Sequence, residues 1–163
     1  MASTEKINRT ILARKMFQQY LEGDTNFENF IAKNMIIMDS TDGKISFEIP
    51  IQEHHLNAYK SLHGGMIASL IDFCGAMASA SKGVRLTSLS TDINVSYVSS
   101  AGYGDTLLVN AECVKLDKTF AFTTVAVHNK VDGRLIAQGR LTLLVTSILN
   151  DPENEFKNEN AKL

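Results

Sequence analysis

The chain lacks a disulfide framework: its 163 residues hold two cysteines, Cys74 and Cys113, each inside an apolar pattern and without CxxC spacing. Both read as free buried thiols, which fits a reducing compartment, and no secretory apolar segment follows the N-terminus. It also lacks an excess of either charge. Sixteen basic and 18 acidic residues give a net charge of −2, and the scattered basic residues make no nucleic-acid footprint. No apolar run is long enough for a membrane span, because the best stretch, residues 66–81, is short and contains Asp72. There are two prolines, no Pro-rich linker and no internal repeat. A GxSxG elbow and a Walker-type loop are both missing. His54, His55 and His128 have no ligand spacing with Cys or carboxylates, so no metal and no cofactor are expected. The composition, 44% hydrophobic and 21% charged, suits one soluble domain with a real core.

What the chain does have is a helix-length segment, HGGMIASLIDFCGAMASA at 63–80, with a single carboxylate. A helix that is apolar nearly all round is normally buried. An ionised Asp72 there needs a partner, since an unpaired carboxylate in a dry interior is very costly. Before this segment, Ile7, Ile11, Leu12, Tyr20 and Leu21 recur at helical spacing and predict an opening helix that ends near Gly23. Its residues 6–21, with Lys6, Arg9, Arg14 and Lys15 on the polar side, read either as a surface helix or as a mitochondrial presequence, and Glu5 counts against the latter. A shorter helical piece at 27–33 follows. Strands are expected at 35–38 and 44–51, with a turn at 41–43 and Pro50 ending the second. Residues 52–62 read as a structured loop.

Beyond the long helix the chain turns to strand chemistry. From 89 to 97, Leu89, Thr91, Ile93, Val95 and Tyr97 alternate with Ser90, Asp92, Asn94 and Ser96, which predicts a half-buried strand with one polar face. A turn at 101–105 precedes strands at 105–116, 119–130 and 134–147, the last two joined by Asp132-Gly133, a type I′ hairpin signal. The polar tail from Asn150 is expected to fray. Together these elements predict an α+β architecture: an antiparallel β-sheet wrapped around one long central helix, with an N-terminal helix.

Gly64 and Gly65 open the long helix, where the first backbone N–H groups have no internal partner. A glycine pair lets a reacting oxyanion approach those donors, aided by the helix dipole, although HGG also fits a plain tight turn. Asp72 lies eight residues on, about 12 Å along the axis, too far for one small group to touch both within a chain. Either Asp72 bonds a neighbouring strand, or two antiparallel helices from two subunits share a site across a two-fold axis. Ser90 is placed to meet Asp72 or a water. Asn57 either donates toward the helix start or caps its own loop, and His63 either orients that loop or caps the helix.

These residues together resemble the hotdog-fold acyl-CoA thioesterases, in particular the PaaI-like branch and its eukaryotic "thioesterase superfamily member" relatives. The likeness covers residues 50–146 and rests on Asn57 in HLNAYKSLHGG, on HGGMIASLID, on LSTDINVSY and on KTFAFTTVAVHNKVDGRLIAQGR. The resemblance implies hydrolysis of acyl-CoA to free acid and CoA. It makes Asp72 the general base or nucleophile, Gly64 the N–H that polarises the thioester carbonyl, with Asn57 assisting and His63 supporting the loop. Ser90 would position the attacking water. It also implies CoA contacts at Gly65, Tyr97 and the run Lys115, Leu116, Asp117, Lys118, Thr119 and Phe120. Leu141 and Leu144 depart from the relatives, which carry basic or histidine side chains there. Homodimers, often paired into tetramers, are implied; the location expected from the free thiols and the 6–21 pattern is cytoplasmic or mitochondrial. Expected divisions are an N-terminal helical segment at 1–34, the hotdog domain at 35–148 and the tail at 149–163. A rival reading is a non-catalytic acyl-CoA-binding hotdog protein; a hotdog dehydratase fits less well, because its chemistry usually relies on a His with a carboxylate.

Overall fold

A computed structural model describes residues 2–22, 26–84 and 89–145, with side chains from residue 11 onward. The tail at 149–163, and Gly23 at the expected end of the first helix, lie outside the described residues. The chain runs α1 (Ala2–Leu21), α2 (Phe27–Ala32), β1 (Ile36–Thr41), β2 (Lys44–Pro50), α3 (Gly64–Ala80), β3 (Leu89–Tyr97), β4 (Thr106–Leu116), β5 (Phe120–Asn129) and β6 (Leu135–Leu144). The six strands form one antiparallel sheet in the order β1-β2-β4-β5-β6-β3, so β1 and β3 are its edges.

One face of the sheet holds α3. Ile45, Phe47 and Ile49 of β2 alternate inward, as do Leu107, Val109, Ala111 and Cys113 of β4 and Ala121, Thr123, Val125 and Val127 of β5. They meet Met66, Ile67, Leu70, Ile71, Phe73, Cys74 and Met77, all buried on α3. Helix and sheet approach each other at two glycines. A Cβ on Gly75 would lie 2.7 Å from Leu141 Cδ2 and Thr123 Oγ1. One on Gly139 would lie 2.8 Å from both Ile71 Cγ2 and the Asn94 carbonyl. The α+β expectation is met in the described residues.

The N-terminal helix packs on a stripe that only partly coincides with the expected one: Tyr20 and Leu21 lie against the core as expected. Ala13, Met16 and Phe17 are buried and Tyr20 half-buried, at helical spacing, whereas Ile11 is exposed. Phe17 packs at a tilt against Phe47 and Phe73, and Tyr20 sits edge-on to Phe73. These rings cover the side of α3 that the sheet leaves free, and that contact selects the helix face.

One turn and one strand also differ from expectation. The connection between β5 and β6 is not a two-residue type I′ turn, because Gly133 has φ +74° while Asp132 does not share a positive φ. Instead Asn129 Oδ1 accepts the N–H groups of Val131 and Asp132, and Gly133 N–H closes back on the Asn129 carbonyl. This longer loop uses its glycine at the one left-handed position. The second departure is a β-bulge in β3. Ser90 opposes Leu143 and Asp92 opposes Thr142, consecutive residues of β6, so Thr91 is an extra residue and the strict alternation breaks there. Ser90 therefore shares the helix-facing side with Ile93, Val95 and Tyr97, and Leu89 falls on the outer side with Asp92, Asn94 and Ser96.

The Gly139 contact is with backbone, which cannot swing aside. Gly139→Ala is expected to destabilise the fold by about 1–3 kcal/mol through overpacking, seen as a lowered thermal midpoint in calorimetry. An unchanged midpoint would show that β3 is not held this tightly.

Candidate active site

Ser90 Oγ donates a 2.6 Å hydrogen bond to Asp72 Oδ1. The bulge at Thr91 makes this contact possible, because regular alternation would aim Ser90 at the opposite face. Asp72 is half-buried rather than fully enclosed. It belongs to the one stripe of α3 that neither the sheet nor α1 covers: Gly65 is exposed, and Ala68, Ser69, Asp72 and Ala76 are half-buried. Small side chains flank the carboxylate on that stripe, so a second backbone could come close to it.

At the N-terminus of α3, His63 is the N-cap residue, with φ −67° and ψ 132°, and its Nδ1 accepts the Gly65 N–H at 2.8 Å. The first backbone bond of the helix runs from Ile67 N–H to the His63 carbonyl at 3.1 Å. Gly64 N–H has no acceptor among the described residues. The capping imidazole thus takes one of the two glycine amides and leaves the other open. Tyr97 covers this point, its hydroxyl donating to the Gly64 carbonyl at 3.3 Å and its ring 3.5 Å from where a Cβ of Gly64 would be.

Asn57 serves its own loop. Its Oδ1 accepts the N–H groups of Tyr59 at 2.9 Å and Ser61 at 3.1 Å. This holds the turn whose Lys60 takes a left-handed φ of +63° and leaves the Asn57 Nδ2 as the group able to donate elsewhere. Lys115–Phe120 is the β4–β5 hairpin: Asp117 Oδ1 accepts from Thr119 and Phe120 N–H, which holds its carboxyl below the usual range, and Lys115 lies 4.0 Å from the Asp117 carboxylate. Within one chain this hairpin and Tyr97 are not brought together. Ala121 and Ser90 both oppose Leu143, at the Asp72 end of the sheet, while Tyr97 lies seven residues along β3, roughly 23 Å away. Leu141 is buried in the core, so β6 offers no basic side chain at that position. An open groove of about 670 Å³ lies on the outer face of the sheet among Asn94, Asn110, Glu112, Gln138 and Arg140, and includes none of these groups.

Sequence reasoning passed over one supporting residue. His55 is 3% exposed, its Nδ1 accepts the Gln52 N–H at 3.1 Å, and its carbonyl accepts the His63 N–H at 2.9 Å. It therefore anchors the segment that presents Gly64. The only sequence signal was the HH pair in an otherwise polar loop. Among the described residues no group of His, Cys, Asp or Glu is placed to hold a metal, and no helix is long and apolar enough to cross a membrane. Both thiols are free and buried; burial pushes Cys113 up to about 11 and Cys74 higher still.

A six-stranded antiparallel sheet cradling a single long helix has counterparts among known proteins. The thioesterase superfamily model matches residues 59–136. Human acyl-coenzyme A thioesterase 13 is 38% identical over 117 residues, which span 72% of this chain and 83% of that protein. The crystal structure of zebrafish thioesterase superfamily member 2 superposes with a TM-score of 0.74 at 32% identity, over 80% of this chain and 94% of that one. A Streptococcus mutans protein solved with acetyl-CoA bound gives a TM-score of 0.65 at 27% identity, over 69% and 89% of the two chains. The chain belongs to the thioesterase superfamily, and its fold is the hotdog fold.

Burial of His55, with the neighbouring His54, lowers its pKa to about 4, against about 6.5 for an unfolded histidine. Between those values the unfolded chain binds one more proton than the folded chain, so stability rises with pH across that window and falls on acidification. Denaturant titrations from pH 7 to pH 4 are expected to show this one-proton slope, and His55→Asn, which keeps an acceptor for Gln52, to remove it. An equal slope in the variant would assign it to other groups.

Proposed function

We propose that this chain hydrolyses acyl-CoA thioesters to a free carboxylic acid and CoA, at a site completed by a second copy of itself. The observation that carries the reading is the pairing of an open Gly64 N–H with a Ser90-bonded Asp72 on one uncovered helix stripe. Similarity to an acyl-coenzyme A thioesterase and to a protein solved with acetyl-CoA supports the substrate class.

The two groups are about 12 Å apart along α3, which one thioester carbonyl cannot bridge. Two copies of α3 packed antiparallel bring the Gly64 of one to the Asp72 of the other, and a two-fold axis builds two such sites at once. The surface beside them suits that contact. β3 is an open sheet edge, and Ile93 and Tyr97, on its helix-facing side, are 43% and 57% exposed.

In such a site Gly64 N–H, with Asn57 Nδ2, donates to the carbonyl oxygen as it gains negative charge. Asp72, oriented by Ser90, takes a proton from water as the water oxygen bonds to the carbonyl carbon. The tetrahedral intermediate collapses, the C–S bond breaks, and the sulfur leaves with the electron pair and takes up a proton. Direct attack by the Asp72 carboxylate is the other course, and isotope-labelled water in a single turnover separates them, since it labels the enzyme only if Asp72 attacks. Gly65, Tyr97 and Lys115–Phe120 supply the CoA contacts in this reading. The two subunits reconcile the separation of Tyr97 from the hairpin.

Asp72→Ala is expected to lower kcat by about a hundredfold or more while leaving the fold intact, measured as free-thiol release from acyl-CoA esters of graded length. Near-normal turnover by the folded variant, or silence of the unaltered protein across the whole panel, removes the hydrolytic reading. Gly64→Pro removes the amide proton and adds a pyrrolidine ring whose Cβ would stand 3.5 Å from the Tyr97 ring, ordinary van der Waals contact; proline is at home at the first helical position, and the extended His63 backbone suits a residue before proline. A loss of about 10²–10³ in kcat is expected. Co-expressed with Asp72→Ala, it is expected to recover about a quarter of full activity, because mixed dimers hold one site free of both lesions. No recovery would place both groups in a single-chain site.

A further inference from the structure

Thr91 was grouped with the apolar face of its strand by alternation, yet it stands outside that face. We propose that Thr91 is a positioning residue for Ser90: its hydroxyl clasps β3 to β6 in the bulged register and so keeps Ser90 turned toward Asp72. The proposal rests on the hydrolytic reading above for its kinetic consequences but not for its structural ones.

Two registers compete at this point. In the regular one, Thr91 would oppose Leu143 and face α3 in line with Ile93, Val95 and Tyr97, and Ser90 would point away from Asp72. In the observed one, Ser90 opposes Leu143, Asp92 opposes Thr142, and Thr91 is the unpaired residue between them. A one-residue slip separates the two and exchanges the faces of the residues before it. β3 is an edge strand whose neighbour within the chain is β6, so within one chain the choice is made on the β6 side.

The far half of β3 does not slip. The Asn94 carbonyl packs where a Cβ of Gly139 would be, at 2.8 Å, and Tyr97 is bonded to the Gly64 carbonyl. The choice is therefore confined to residues 89–91. There, Thr91 Oγ1 donates to the Thr142 carbonyl at 3.1 Å. The exposed Thr91 side chain reaches that acceptor in the bulged register observed. An apolar side chain at 91 cannot make this bond and so does nothing to hold the bulged register. The residue type at 91 thus sets which side Ser90 occupies.

The test uses the full chain. Thr91→Val is expected to lower kcat about fivefold, toward the Ser90→Ala value, with little change in KM; Thr91→Ser, which retains the hydroxyl, restores it. Adding Thr91→Val to Ser90→Ala is expected to change kcat no further, whereas a general loss of stability would add to it. Independently of turnover, NMR contacts between the Ser90 and Asp72 side chains are expected to vanish in Thr91→Val and persist in Thr91→Ser. Thr91→Ala carries the same comparison should the valine variant not fold. A Thr91→Val protein that keeps the Ser90–Asp72 contact, or that keeps full kcat while Ser90→Ala loses it, overturns the proposal. Lack of hydrolysis by the unaltered chain would sink the hydrolytic reading alone, since the NMR comparison still decides the role of Thr91.

Discussion

The close approach of α3 to its sheet is the constraint on which the remaining geometry depends. A Cβ at Gly75 would force the helix to stand off from Leu141 and Thr123, and one at Gly139 would push on Ile71 of the helix and on the Asn94 carbonyl of β3. With neither present, the apolar residues of the helix are buried against β2, β4, β5 and β6, and Phe17 and Tyr20 of α1 close another flank. What is left uncovered is a narrow stripe with Asp72 in its middle. The carboxylate is accessible because the helix is otherwise so thoroughly enclosed.

Position on the helix is the other half of the argument. The same rigid rod carries an amide donor at its start and a carboxylate two turns in, and its rise per residue keeps them apart. His63 refines the start by occupying Gly65 N–H, and His55 and Asn57 brace the loop that leads into it. His63, Asn57 and His55 each accept a backbone N–H through the side chain, and the His55 carbonyl takes the His63 N–H as well. Tyr97 then ties the start of the helix to the end of β3.

Much of this was legible in the chain itself. A long apolar segment with one carboxylate and a glycine pair at its head specifies α3 and singles out Asp72, because both signals are local. Ser90 was legible as a residue but not as a direction. Its orientation depends on a bulge held by a contact between Thr91 and Thr142, 51 residues apart, which no periodicity reports. The β5–β6 turn misled for a similar reason, since Asp-Gly suggests a tight turn while the Asn129 side chain builds a longer one. In α1 the buried stripe includes Ala13, a residue too small to announce itself beside Ile11. Local signals survive in one dimension, and choices made by a neighbouring strand or helix do not.

The two cysteines acquire a different meaning beside the proposed chemistry. Both thiols are sealed in the core, one on α3 and one on β4, and burial holds each in its protonated form. A protein that frees a thiol at its surface would thus offer that product no sulfur with which to form a mixed disulfide. The core that orders the fold would also keep the catalyst inert toward what it makes.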